Sequence, residues 1–145
     1  MSCVLRASGT DFDVNSFLKS SSLEALTVFH RGEVQFPTST VPQRKIERSG
    51  MHVSVSTREF SDLKGQIGDA VSFLSDNNEE LRRLRDFPGL ERMDIDFPIE
   101  ERHVVFQSDT FPPYLLSLLG DLHIGLVISR YPAHSETKDQ TYAES

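Results

Sequence analysis

A chain of 145 residues with a formal net charge of −7, 37% hydrophobic residues and 26% charged residues fits one folded domain with a buried core. That composition excludes a disordered chain, and the acidic balance argues against a general nucleic-acid binder, which needs a surplus of lysine and arginine. The negative charge keeps the protein soluble and would favour a basic partner.

The cysteine content and the lack of long apolar runs indicate the compartment. Cys3 is the only cysteine, so an intrachain disulfide and a disulfide-stapled secreted scaffold are excluded. No apolar run approaches the roughly 20 residues that span a bilayer. Residues 1–8 alternate like a strand and lack the apolar region of a signal peptide, so we expect a cytoplasmic protein. Cys3 is expected to be a buried structural thiol, because no catalytic cysteine motif surrounds it.

The first elements predicted along the chain are a strand over residues 3–8, a short helix, and a second strand over residues 26–31. Asp13 is a good N-cap for the helix, because apolar residues follow it at helical spacing. Residues 35–49 are rich in proline, serine, threonine and arginine. They predict a long loop, which is either functional or mobile.

The middle of the chain predicts a strand followed by a long amphipathic helix. Residues 51–56 alternate between apolar and polar side chains, which is typical of a half-buried strand. Ser61 or Asp62 can cap the helix that follows. The polar run 75–78 breaks or re-caps this helix, and Pro88-Gly89 ends it.

A second alternating strand is predicted from residue 92 to residue 100. Residues 103–107 also have an extended pattern. The sequence leaves open whether they continue that strand past a kink at Pro98 or form a strand of their own.

The last helix and strand are followed by a polar tail. Pro112-Pro113 can open the helix, and Gly120 suits the position just after its end. Residues 122–129 predict a final strand that is apolar on both faces and therefore central. Residues 132–145 have almost nothing to bury, so we predict a disordered tail after a single domain over residues 1–131.

The order strand, helix, strand, strand, helix, strand, helix, strand predicts an α+β fold of the ferredoxin-like type, a split βαβ sandwich. In such a fold the helices cover one face of an antiparallel sheet. The other face stays open or meets a partner.

Candidate functional residues come from strand parity, because no catalytic or phosphate-binding motif is present. If Met51 and its alternating neighbours face the helices, His52 points to the opposite face of the sheet. The same rule places His123, Asp94 and Asp96 on that face, and Arg6 shares it. These five residues are the predicted ligand-binding set.

This set has several interpretations. The spacing in sequence is not a metal signature, so no metal site, cofactor or catalytic residue is predicted. Asp94 and Asp96 lie roughly 7 Å apart along a strand and could act as general acid and base. A solvated polar face, or a dimer interface, explains the same pattern without chemistry.

Two groups of basic residues are candidates for charge interactions. Arg82, Arg83 and Arg85 lie among acidic residues at helical spacing, which indicates ion pairs on a helix surface. The loop carries Arg44, Lys45 and Arg48. This loop cluster could touch an anionic ligand, and a solvated loop explains it equally well.

Several local features together resemble a small bacterial family that is catalogued as domain of unknown function 4279. The features are Gly-Thr-Asp-Phe-Asp at residues 9–13, the segment from Arg44 to Gly50 before an alternating strand, the long helix starting near Asp62, and the segment from Pro113 to Tyr131. The resemblance covers residues 2–132. It implies a ferredoxin-like fold with no assigned activity, so it carries over no catalytic residue.

These observations favour a non-catalytic protein-interaction domain, without enzymatic activity and without nucleic-acid or membrane binding. Some small acidic α+β proteins act as immunity proteins beside bacterial toxins, and that analogy in fold and charge suggests one version of the role. The partner would be a basic protein or a second copy of the chain. The alternative is a small-molecule or metal-binding domain that uses the polar residues of the open sheet face.

Overall fold

A computed structural model of the protein describes residues 2–34 and 40–132. Within these residues the chain forms five strands and four helices. The strands are β1 (Val4–Gly9), β2 (Ala25–Phe29), β3 (Ser49–Ser54), β4 (Arg92–Glu101) and β5 (Gly125–Pro132), and the helices are α1 (Val14–Lys19), α2 (Leu63–Asp76), α3 (Asn78–Arg85) and α4 (Pro113–Asp121). Pro132 thus belongs to a strand, and the rest of the predicted disordered tail lies outside the described residues.

The strands form one sheet in the order β2-β3-β1-β4-β5. β1 pairs antiparallel with β3 on one side and with β4 on the other, so Val4 lies opposite both Ser54 and Asp96. β5 pairs parallel with β4, after the chain has crossed over through α4. The α+β class is therefore confirmed. The expectation of a purely antiparallel sheet is wrong, and the added fifth strand makes the strand order differ from the four-stranded ferredoxin-like pattern.

The helices pack against one face of the sheet and enclose the core there. Alternate residues of the inner strands supply its sheet side, and one stripe of each helix supplies the other side. Fully buried members include Leu5, Met51, Ile95 and Phe97 from the strands and Phe17, Ala70, Leu74, Leu81, Leu84 and Leu115 from the helices. The opposite face, which we call the open face, carries Arg6 and the other even-numbered residues of β1.

Two predicted helix caps are confirmed by side-chain hydrogen bonds. Asp13 accepts from the backbone N–H of Ser16 at 3.1 Å, and Asp62 accepts from that of Gly65 at 2.9 Å. The predicted interruption of the long helix falls at Asn77, which ends α2 and precedes α3. These features depend on neighbouring residues only, which is why the sequence predicts them.

The second half of the chain departs from prediction in three places. β4 runs through Pro98 to Glu101, and residues 103–107 form no strand. α4 includes Gly120, so the left-handed conformation after the helix falls on His123, with φ of 57°, instead of on a glycine. The last strand starts at Gly125 and lies at the edge of the sheet instead of its centre.

The segment predicted as the loop 35–49 is only partly a loop. Its last residue, Ser49, begins β3. Before that, backbone hydrogen bonds of 2.8 Å join Gly32 to Ile46 and Ile46 to Glu33, and Val34 bridges to Lys45. Residues 30–34 and 45–48 therefore extend the β2–β3 hairpin as an irregular two-stranded arm, which we call the hairpin arm.

Candidate functional site

Arg6 lies at the centre of a polar row that crosses the open face. Its neighbours across the sheet are His52 on β3 and Asp94 on β4. The guanidinium forms ion pairs with two carboxylates, from Nη1 to Asp94 Oδ1 at 3.6 Å and from Nη2 to Asp96 Oδ2. Ser129 on β5 donates its hydroxyl to the Asp96 carboxylate, whose oxygens lie 2.8 and 3.0 Å from Oγ. The sheet thus brings four of the five predicted residues together.

The two carboxylates are engaged and shielded from solvent. The side chains of Asp94 and Asp96 are 16% and 9% exposed, and that of Arg6 is 39% exposed. A carboxylate with so little exposure needs a charged partner, which Arg6 supplies to both. One guanidinium faces two carboxylates, so the row keeps one net negative charge. Both oxygens of Asp96 accept hydrogen bonds, whereas Oδ1 of Asp94 has no hydrogen-bond partner among the described residues.

His52 is half-buried beside this ion pair. Its ring makes an edge-to-face contact with Phe29 of β2, with centroids 5.5 Å apart. Burial lowers the pKa of His52, the Arg6 guanidinium lowers it further, and Asp94 opposes both effects. The imidazole is therefore neutral at pH 7 and can both donate and accept a hydrogen bond.

The placement of His123 on the open face is wrong. His123 lies in the turn between α4 and β5, where it is exposed. His123 lies near Asp86, which follows α3. The hydrogen bond from Arg85 is the main cause of the lowered pKa of Asp86, and His123 contributes less. Parity failed because the flanking Leu122 and Ile124 are buried at a helix end and do not belong to a strand.

Metal binding and thiol chemistry find little support in the described part of the chain. It contains no group of three or more histidine, cysteine, aspartate or glutamate side chains that could hold a metal ion. Cys3 is fully buried on the helix side of β1. Burial raises the pKa of its thiol to about 12, helped by the carboxylates of Asp96 and Asp69. The thiol is thus protonated at neutral pH.

The sequence did not reveal a cavity at the β2 edge of the open face. The hairpin arm, β2 and His52 of β3 line this cavity, which is open to solvent and has a volume of about 800 Å³. The walls are mainly apolar and include Phe29, Val34 and Ile46, whereas Thr27 and His52 supply polar groups. Glu33 also lines the cavity, and its Oε1 accepts a hydrogen bond of 3.0 Å from the backbone N–H of His30. The composition of the predicted loop 35–49 indicated a group of basic residues, but it did not indicate a cavity. The arm depends on backbone pairing between Gly32 and Ile46, which no local pattern indicates.

Ion pairs hold the base of the hairpin arm to the rest of the domain. Arg48 Nη1 lies 2.6 Å from Glu91 Oε1, before β4, and Glu91 also accepts from Thr10. Arg31 Nη1 lies 3.3 Å from Asp11 Oδ1. The arm is thereby tied to the turn that follows β1.

No family model, curated protein or solved structure matches this chain. None of the described helices is long and apolar enough to cross a membrane.

Proposed function

We propose that the protein is a non-catalytic interaction domain that binds a protein partner through the open face of its sheet. The observation that carries this proposal is the ion-paired row of Arg6, Asp94 and Asp96. It leaves the middle of the open face with one net negative charge, because one guanidinium faces two largely shielded carboxylates. No described helix lies over that face, so it is available to another chain.

The same row supports a role without catalysis. General acid–base chemistry needs a carboxyl group that is free to exchange a proton with a substrate. Arg6 and Ser129 both hydrogen-bond to the carboxylate of Asp96, and Asp94 lies 3.6 Å from the same guanidinium and is largely shielded from solvent. The buried, protonated Cys3 is likewise unsuited to nucleophilic attack.

Net charge favours a basic protein as the partner. The chain carries −7 at neutral pH, which steers association with a positively charged surface and makes that association sensitive to salt. An immunity-like role beside a basic toxin is one specific version of this proposal. A second copy of the chain is the competing occupant of the open face.

The proposal extends to the fold family and the compartment. Strands β1–β4, in the spatial order β2-β3-β1-β4 with helices in both crossovers, support a ferredoxin-like unit to which α4 and β5 are appended. Such a unit agrees with membership of domain of unknown function 4279. A single reduced thiol suits the cytoplasm, where thiols are kept reduced.

The experiment is an affinity capture from a lysate of the source organism at low and high salt, using a matched pair of variants. Ser54→Arg places a cation on the open face next to Val4, whereas Ser72→Arg places one on the exposed side of α2. We expect one stoichiometric basic partner to be retained by the unmodified protein and by Ser72→Arg. It should be lost with Ser54→Arg and at high salt.

Other outcomes contradict the proposal. If nothing is retained at either salt concentration, or if both variants retain the same partner equally, the open face is not the binding surface. If light scattering shows a dimer that only Ser54→Arg dissociates, the occupant is a second copy instead of a basic protein.

A further inference from the structure

We propose that the cavity under the hairpin arm binds a small amphipathic anion, with its apolar body against Phe29, Val34 and Ile46 and its anionic group at Arg44 and Lys45. This inference goes beyond the proposed function and does not rest on it. A partner protein can cover the centre of the open face whether or not the cavity at its edge is occupied.

The apolar side chains of the cavity are partly exposed to water. Val34 is 41% exposed, and Phe29 and Ile46 are half-buried. A cavity of about 800 Å³ with mostly apolar walls and a few polar groups lies in the range of small-molecule sites. Covering these side chains with an apolar body removes them from water, which is favourable.

The polar groups at the floor of the cavity suit an uncharged portion of the ligand. His52 and Thr27 lie opposite each other on β3 and β2, on the same face of the sheet. The lowered pKa of His52 keeps its imidazole neutral at pH 7. A neutral ring and a hydroxyl can each donate or accept a hydrogen bond, and neither adds charge at this end of the cavity.

The rim of the cavity is locally basic, although the protein as a whole is acidic. A second depression, of about 410 Å³, shares Phe29 and Ile46 with the cavity and is lined by Arg44, Lys45 and Arg48 against one carboxylate, that of Glu47. Apolar and basic surfaces are therefore contiguous, as an amphipathic anion requires. A long polyanion is disfavoured, because the rest of the chain brings the net charge to −7.

The cations of this rim differ in how strongly they are already paired. Arg48 is held at 2.6 Å by Glu91. Arg44 lies 3.6 Å from Glu47, and their side chains are 91% and 78% exposed, so that pair is weak. Lys45 makes no ion pair among the described residues. Arg44 and Lys45 are therefore the groups available to an anionic ligand.

The test uses naphthylacetate as the amphipathic probe and naphthylacetamide as its uncharged counterpart, titrated into the full chain by calorimetry and NMR. Thr27→Trp fills the cavity from an exposed strand position, and Leu26→Trp adds the same bulk to the neighbouring exposed position as its control. The double variant Arg44→Ala/Lys45→Ala removes the basic rim, with Lys64→Ala on α2 as its control.

We expect saturable naphthylacetate binding with a Kd of about 1 mM or tighter, weakened at least about tenfold by Thr27→Trp and unchanged by Leu26→Trp. The rim variant should weaken naphthylacetate about fivefold and leave naphthylacetamide unaffected. Absence of saturable binding, or unaltered binding by a folded Thr27→Trp variant, overturns the site. Equal affinity for acid and amide, with no effect of the rim variant, overturns the assignment of an anion.

Discussion

The side-chain amide of Gln66, in α2, donates a hydrogen bond of 3.0 Å to the carbonyl of Pro98, in the middle of β4. Gln66 is completely buried, and the same Nε2 also donates to the carbonyl of Glu59 at 3.3 Å. The amide therefore ties the loop after β3 to β4 from inside the core. Its Oε1 has no hydrogen-bond partner among the described residues.

Replacing this amide with a carboxylate should be strongly destabilising. Gln66→Glu removes the donors to Glu59 and Pro98 and places a charge in the core, whereas Gln66→Met removes the donors without adding charge. We expect Gln66→Met to lower the free energy of unfolding by about 1–2 kcal/mol and Gln66→Glu to cost more at pH 7. Urea unfolding at pH 4 and pH 7 measures both. If the two variants are equally stable at pH 7, the site is accessible to water.

Arg6 and Asp96 should be coupled energetically. Arg6→Met leaves a nearly buried carboxylate without its cation, and we expect a loss of about 1–3 kcal/mol, reduced by the partial exposure of Arg6. Adding Asp96→Asn should cost less in that background than in the unmodified protein, as a double-mutant cycle shows. Arg48→Met is the matched control, because its pair with Glu91 is exposed and worth under about 1 kcal/mol. Additive effects of Arg6→Met and Asp96→Asn would exclude the coupling.

The titration of His52 should report the charge of Arg6. Burial and then Arg6 lower the pKa of His52, so its midpoint in an NMR titration lies below the ordinary value of about 6.5. Between that value and the lower folded pKa, the unfolded chain binds a proton that the folded protein does not. His52 therefore makes the protein less stable as the pH falls through this window.

Arg6→Met should raise the His52 midpoint, because it removes a nearby positive charge and leaves Asp94 in place. Arg82→Met, on the exposed side of α3, should leave the midpoint unchanged. An identical shift in both variants would mean that Arg6 acts on His52 only through overall charge.

Cys3 should react with a thiol reagent only after unfolding. Its thiol is fully buried, and burial together with Asp96 and Asp69 raises its pKa to about 12. We expect labelling of the native protein at pH 8 to be at least about 100-fold slower than labelling in urea. An exposed thiol introduced by Ser20→Cys in a Cys3→Ala background is the control for reagent access. Equal native rates at the two positions would contradict the burial of Cys3.

Replacing Gly9 and Gly68 with alanine should change the free energy of unfolding in opposite directions. A side chain at Gly9 would collide with the backbone of Gly89, whereas one at Gly68, inside α2, would meet nothing within 4 Å. Gly68→Ala should raise the free energy of unfolding by about 0.5–1 kcal/mol, because alanine is the better helix former. Gly9→Ala should lower it by several times that amount. Thermal melting of both variants measures these changes. A lower melting temperature for Gly68→Ala would contradict the prediction and would indicate that Gly68 is needed for packing.

Local patterns predicted the features that depend on neighbouring residues. Asp13 and Asp62 act as helix caps because a short polar side chain precedes an amphipathic run. Parity within a continuous strand placed Arg6, His52 and Asp94 on one face. That rule holds because successive side chains of a strand must alternate.

The remaining features depend on contacts distant in sequence. The same alternation predicted that His123 faces the open side of the sheet. His123 instead lies in the turn after α4, and the alternation of side chains applies only within a strand. The apolar run of β5 predicted a central strand, although Leu126 and Ile128 are 37% and 44% exposed at an edge. The cavity escaped prediction because it forms between β2 and the hairpin arm, which depends on the pairing of Gly32 with Ile46, and the proline-rich composition there indicates only a loop.

The central position of β1 has a consequence for the order of folding during synthesis. β1 is made before its two partners, and Val4 pairs with Ser54 and with Asp96. Such distant pairings close slowly, because the intervening chain must be ordered at an entropic cost. Until β4 has left the ribosome, Leu5 and Ala7 therefore lie on a strand with an unpaired side. A nascent chain interrupted before residue 92 would present that strand to chaperones or to other nascent chains.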